Sequence, residues 1–139
     1  MLADESDWIA AMATVACEIF QRDPVVNWAG FYRVLAPGIL KVGPYQGTHG
    51  CLTIPFERGV CGRAARERRS QRVDDVRAIE DHIACSGTTL SELVVPILDS
   101  KGRVQAVLDL DAEAVAHFTE VDETSMEGLC NWLARRYFF

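Results

Sequence analysis

The residues best suited to chemistry in this chain are three cysteines and three acids. Cys51 ends Gln46-Gly47-Thr48-His49-Gly50-Cys51, a run of small residues that reads as a loop. Cys61 follows Glu57-Arg58-Gly59-Val60, where a turn enters a short helix. Cys85 sits among small polar residues just ahead of an apolar run. Reactive thiols need access and a positive surrounding, and a helix N-terminus with Arg58 and Arg63 nearby favours a thiolate at Cys61. Three accessible thiols in a reducing compartment suggest thiol–disulfide chemistry, one acting as nucleophile, one resolving and one relaying. Cys17 and Cys130 fall on apolar helix faces instead and read as small core hydrophobes.

The acids are Glu92, at the front of the apolar run that follows Cys85, and Asp109 and Asp111, which close the next run. Both runs read as β-strands, and Asp99-Ser100-Lys101-Gly102 makes them a hairpin. Side chains alternate along a strand, so Asp109 and Asp111 point to one face while Leu108 and Leu110 take the other. Two acids at the end of a buried strand are costly without partners. Either the strand frays there and both are solvated, or they belong to a small acidic pocket facing a thiol. A third strand, in Val25 to Val34, puts Trp28, Gly30 and Tyr32 on one face and Phe31 on the other. Gly30 removes bulk between two aromatics. That face either packs as core, with Gly30 a bulge, or holds a small flat or cationic ligand.

The elements that must position these groups follow from periodicity and punctuation. Asp7 to Phe20 is a helix with Trp8, Met12, Val15 and Ile19 on its apolar face, Ser6 as candidate N-cap, and Arg22-Asp23-Pro24 as its end. Pro37-Gly38 is a turn, and Ile39 to Tyr45 is the partner strand. Leu52 to Phe56 is short and apolar. Gln71-Arg72-Val73 is a short strand, and Arg77 to Ala84 is irregular or briefly helical. Thr119, with Asp122 at capping-box spacing, starts a last helix that runs to about Arg136, with Met126, Leu129, Cys130 and Leu133 on one face. The order predicts an α+β fold, one antiparallel sheet flanked by terminal helices.

Bulk properties narrow the function classes. A length of 139 residues with 49% hydrophobic content fits one domain, residues 1–139. A net charge of −6 argues against nucleic acid or an anionic membrane as partner. The five arginines from Arg58 to Arg69 have no interleaved aromatics and read as a solvated helix face. No apolar run approaches a membrane span. The first seven residues carry acids and no Lys or Arg, the wrong sign for a secretory leader, so a cytoplasmic location is expected. The cysteine count is odd, and neither CxxC nor a Cys/His pair at zinc spacing occurs. That disfavours a disulfide scaffold or structural zinc, and no metal or cofactor is expected.

Taken together, Asn27-Trp28-Ala29-Gly30-Phe31-Tyr32, Gly43-Pro44-Tyr45-Gln46-Gly47, Cys51, Ile54-Pro55-Phe56, Gly59-Val60-Cys61-Gly62, His82-Ile83-Ala84-Cys85, Ser91-Glu92-Leu93-Val94-Val95-Pro96 and Val107-Leu108-Asp109-Leu110-Asp111 resemble the free methionine-(R)-sulfoxide reductases, which are GAF-domain enzymes. The resemblance runs from about Asp7 to the C-terminus. It implies a GAF-like fold and reduction of free L-methionine-(R)-S-oxide to methionine. It makes Cys85 the nucleophile that attacks the sulfoxide sulfur, Cys51 the resolving cysteine, and Cys61 a further thiol able to join the exchange. Trp28 and Tyr32 would wall the methionine pocket. Glu92, Asp109 and Asp111 would hold the substrate and its sulfoxide oxygen, with thioredoxin as reductant. The pattern departs from the family where Ser86 follows Cys85 in place of an acid, and where Gly87-Thr88-Thr89-Leu90 replaces a more polar loop. Many members carry extra residues ahead of the first helix. This chain starts close to that helix, so a homodimer is expected to lack any contact made by them. A GAF module that senses a small ligand, or a cysteine redox switch, would share the fold without the turnover.

Overall fold

The structure, a computed structural model, describes residues 1–83, 85 and 87–139. The expectations that fall on Ala84 and Ser86, including serine in place of the family's acid, lie outside the described residues.

Helix α1 (Trp8–Arg22) is capped by Asp7, whose Oδ1 accepts from the backbone N–H of Ile9 at 2.8 Å and of Ala10 at 3.4 Å. Ser6 was the expected cap. The carboxylate one residue later takes the place because it accepts two N–H groups and also complements the positive end of the helix. Strands β1 (Val26–Ala36) and β2 (Ile39–Gly47) form a long hairpin, and β3 (Thr53–Pro55) pairs with β2. Helix α2 (Gly59–Glu67) and strand β4 (Gln71–Val73) follow. Strands β5 (Ser91–Leu98) and β6 (Val104–Ala112) make the second hairpin, and helix α3 (Glu120–Tyr137) closes the chain. Among the described residues the strands make a six-stranded sheet in the order β3-β2-β1-β6-β5-β4, with neighbouring strands antiparallel throughout. The α+β expectation holds, with the helical termini where periodicity put them.

Three local devices set this topology. The Asp99 carboxylate accepts from the backbone N–H of Lys101 and Arg103, both at 2.9 Å, and from the Arg103 side chain at 2.8 Å, which closes the β5–β6 turn. Thr119 and Asp122 form the reciprocal capping box read from the sequence. Pro96, which has no N–H to give, lies where it is tolerated. β4 ends its pairing opposite Val94, so beyond that point β5 is an edge.

The two faces of the sheet are covered differently. Ala29, Phe31, Leu93, Val95, Leu108 and Leu110 bury against α1 and α3, with Met12, Val15, Cys130 and Leu133 supplied by the helices. Each such aliphatic or aromatic side chain stabilises the fold by roughly 1.5–3 kcal/mol. Cys130 is core, as expected. Cys17 was read the same way but is half-buried, and its sulfur accepts from the Gln21 amide at 3.3 Å, because it lies at the border of the apolar face of α1. The other sheet face carries Trp28, Tyr32, Leu40, Val94 and Val107 and is covered by α2. The acids of interest lie there.

Candidate active site

The register of three strands assembles the site. In the β5–β6 hairpin Glu92 pairs with Asp111 and Val94 with Asp109. Across β6 on the other side, Trp28 pairs with Asp111 and Gly30 with Asp109. Alternation therefore puts Glu92, Asp109, Asp111, Trp28 and Tyr32 on one face. They line one cavity of about 480 Å³, a volume that includes its opening to solvent, together with Cys61, Cys85, His49, His82 and Thr89. Glu92 and Asp109 are buried and Asp111 is half-buried, so β6 does not fray into solvent here.

The aromatics stack. Trp28 lies between Tyr45, with ring centroids 5.1 Å apart, and Tyr32, at 5.5 Å, and both pairs are within about 20° of parallel. Gly30 makes this packing feasible. A Cβ there would sit 2.3 Å from Tyr45 Cβ and 2.8 Å from the Trp28 ring. The β1–β2 register also shifts between Gly30 and Tyr32, so the glycine serves both a bulge and a close approach. The indole Nε1–H of Trp28 donates to the Thr48 carbonyl at 3.0 Å, and Gly50 leaves room for the same ring. These contacts fasten the loop that carries Cys51. That loop reaches the segment after Ile83, and Cys51 and Cys85 are joined as a disulfide with Cα atoms 5.4 Å apart.

Cys61 is where expectation and structure part. It occupies the first turn of α2, as predicted, but it is only 4% exposed, and its sulfur lies 4.0 Å from Glu92 Oε2. Burial, and then the neighbouring acids Asp109, Glu92 and Asp111, push its thiol well above the ordinary range. A thiolate is disfavoured. The arginines that were to stabilise one point elsewhere: Arg58 is exposed, and Arg63 lies 3.9 Å from Glu67 and 3.8 Å from Asp81.

The acids hold protons more tightly than isolated carboxyls do. Burial, then the charges of Asp109 and Asp111, raise Glu92 well above its usual value; burial and then Asp109 do the same to Asp111. Asp109 is also raised by burial, but hydrogen bonds from Glu92 and Cys61 and the nearby His82 pull against that shift. Asp109 is thus the favoured ionised member, with protons on its neighbours. Its Oδ1 is buried and has no hydrogen-bond partner among the described residues. Tyr32 keeps its proton for the same reasons, burial first and then the acids.

Sequence reasoning did not single out His82, His49 or Thr89. His82 Nε2 lies 3.7 Å from Glu92 Oε1, and burial lowers its affinity for a proton despite Asp109 and Asp81. Its position three residues before Cys85 was a usable signal. Thr89 is tied to Asn27, whose amide donates to it at 3.3 Å.

The GAF domain family pattern matches residues 7–135. The chain is 43% identical to Protein YtsP of Bacillus subtilis (strain 168) over 124 residues, 88% of this chain and 76% of that protein. It is 37% identical to the free methionine-R-sulfoxide reductase of Escherichia coli (strain K12), over 93% of this chain and 77% of that protein. The X-ray structure of free methionine-R-sulfoxide reductase from Neisseria meningitidis in complex with its substrate superimposes with a TM-score of 0.92 at 42% identity, covering 98% of this chain and 81% of that one. With this fold, this pocket and these relatives, the chain belongs to the GAF-domain family and, within it, to the free methionine-R-sulfoxide reductases, which are oxidoreductases.

Proposed function

We propose that this protein reduces free L-methionine-(R)-S-oxide to L-methionine through the thiols of Cys85 and Cys51. The observation that carries the reading is the Cys51–Cys85 disulfide beside a cavity lined by Trp28, Tyr32 and three acids. In this reading the described state is the oxidised end of the cycle. After reduction, the Cys85 thiolate attacks the sulfoxide sulfur. The sulfoxide oxygen takes up a proton and passes to Cys85, so methionine leaves and Cys85 becomes a sulfenic acid. The Cys51 thiol then displaces that oxygen as water and forms the disulfide. The sulfoxide gains two electrons and the two cysteines lose them.

Protonation makes the oxygen a better leaving group, and a carboxylic acid that holds its proton near neutrality can provide it. Glu92 and Asp111 have that character, while the ionised Asp109 suits the substrate's ammonium. The aromatic rings of Trp28 and Tyr32 suit the apolar methylenes and methyl of its sulfoxide side chain. Cys61 is assigned as the further thiol of the exchange. A dithiol protein of the thioredoxin type would reopen the disulfide, and a reducing, cytoplasmic setting is inferred to match.

Consumption of each sulfoxide epimer, measured with thioredoxin and its reductase present, tests the proposal. The R epimer is expected to be consumed and the S epimer left. If thiol counting shows the Cys51–Cys85 bond opened and the R epimer still persists, the proposal fails.

A further inference from the structure

We propose that the pocket is also a binding site for a soft divalent cation of the Zn2+ type, held by Cys61 Sγ, Glu92 and Asp109 with His82 as the fourth donor. One ligand atom from each of Cys61, Glu92 and Asp109 lies within 4.8 Å of the others, and all three residues are buried. The donor set mixes sulfur with carboxylate oxygen and adds an imidazole nitrogen 3.7 Å from Glu92. That combination favours zinc over magnesium or calcium, which take oxygen alone.

To hold an ion the clustered donors must draw together by roughly half an ångström or more, and His82 must turn toward them. From the usual zinc bond lengths, tetrahedral ligands stand apart by about 3.5 Å for sulfur and oxygen and about 3.3 Å for nitrogen and oxygen. Here Cys61 Sγ is 4.0 Å from Glu92 Oε2, while His82 Nε2 is 3.7 Å from the other oxygen, Oε1, and stands outside the close group of three.

An independent observation points to a cation. Asp109 is 4% exposed and lines the cavity, and its Oδ1 has no hydrogen-bond partner among the described residues. A buried carboxylate oxygen left this way costs about 1–3 kcal/mol. Among the described residues no Lys or Arg forms an ion pair with Glu92, Asp109 or Asp111, so a bound cation would satisfy the orphan oxygen and replace the protons that the acids otherwise hold. On binding, the protons of Cys61 and Glu92 go to solvent, and the thiolate and the carboxylate become ligands. The ligands come from a helix, two strands and a loop, which is why no zinc-type spacing marks them in the sequence. Binding does not depend on the reductase reading. Only the corollary, that the ion and the amino-acid substrate exclude one another, rests on it.

The test uses the full chain with the Cys51–Cys85 disulfide intact, so that neither of those sulfurs can bind, in a Cys17→Ser background that removes the half-exposed thiol. Zn2+ is titrated by calorimetry, and Co2+ serves as an optical probe. Expected are one ion per chain and a thiolate-to-cobalt charge-transfer band in the near ultraviolet. Cys61→Ser should abolish the band, and His82→Ala should weaken Zn2+ binding by about 10-fold or more. If Cys61→Ser fails to fold, Asp109→Asn, which keeps the shape of the side chain, is expected to weaken binding by at least as much as His82→Ala. No heat of binding, a cobalt spectrum without the sulfur band, or a band that survives Cys61→Ser would overturn the proposal. So would unchanged affinity in Asp109→Asn.

Discussion

The two faces of one sheet are built from alternate residues of the same strands, yet they obey different rules. Under α1 and α3, Phe31, Leu93, Leu108 and Leu110 fill space with apolar groups, and Cys130 behaves as one of them. Under α2, one residue along each strand, Glu92, Asp109 and Asp111 stand beside Trp28 and Tyr32, and Cys61 adds a polar sulfur. Both cysteines are buried and both have their thiols pushed up by burial. For Cys130 the second influence is the Glu127 charge alone, while Cys61 faces three acids. Stability is concentrated on one face so that the other can carry an arrangement that packing alone would not choose.

That comparison is broken most decisively by moving chemistry without moving stability. Cys85→Ser is expected to lower R-epimer turnover by at least about a thousandfold, while the unfolding free energy of the reduced protein stays within about 0.5 kcal/mol of the parent. Turnover retained in that variant would remove the pocket face from the catalytic account. On the opposite face, Leu108→Ala, at a fully buried position, should cost about 2–5 kcal/mol in urea unfolding and leave activity per folded molecule nearly unchanged. A loss of activity as large as the loss of stability would mean that the faces are not separable. Asp109→Asn sharpens the contrast: about a hundredfold loss of turnover is expected, with stability equal to the parent or higher, because a desolvated charge is removed. Gly30→Ala should fall between these, costing about 1–3 kcal/mol as the added methyl meets Tyr45 and Trp28. A shift in tryptophan emission would report the disturbed stack.

The smallest effect belongs to the turn that joins β5 to β6, whose strands contribute to both faces. Hydrogen bonds from the Arg103 and Lys101 backbone, with the Arg103 side chain, hold Asp99 down at about 2. A depressed carboxyl contributes stability above its unfolded value, near 3.9, and that contribution is lost as pH falls toward 2. Asp99→Asn should therefore lower the melting temperature at pH 6, and the gap should close across that acid window. A gap that stays constant down to pH 2 would show that the charge is not what the turn uses.

Much of this was legible in the sequence because it is local. The capping box at Thr119 and Asp122 is a spacing, and the Asp99–Gly102 hairpin is turn chemistry. The shared face of Asp109 and Asp111 is strand geometry. The reach of the acidic pocket was legible only through the resemblance, because periodicity alone left β6 free to fray. What escaped was non-local. The protonation of Cys61 depends on which strands lie beneath α2, and no feature of residues 57 to 69 reports that three acids wait there. His82 escaped for the same reason, since its neighbour Glu92 is on another element. The half-exposure of Cys17 is a matter of a few degrees around a helix, finer than an apolar pattern resolves.

Pro96 has a further consequence. The uncovered stretch of β5 beyond β4 is a row of backbone groups on which another chain could build, and the proline breaks that row by withholding a donor. At the opposite margin β3 is only three residues long and ends in Pro55. Both margins of the sheet are thus poor templates for strand addition by another chain.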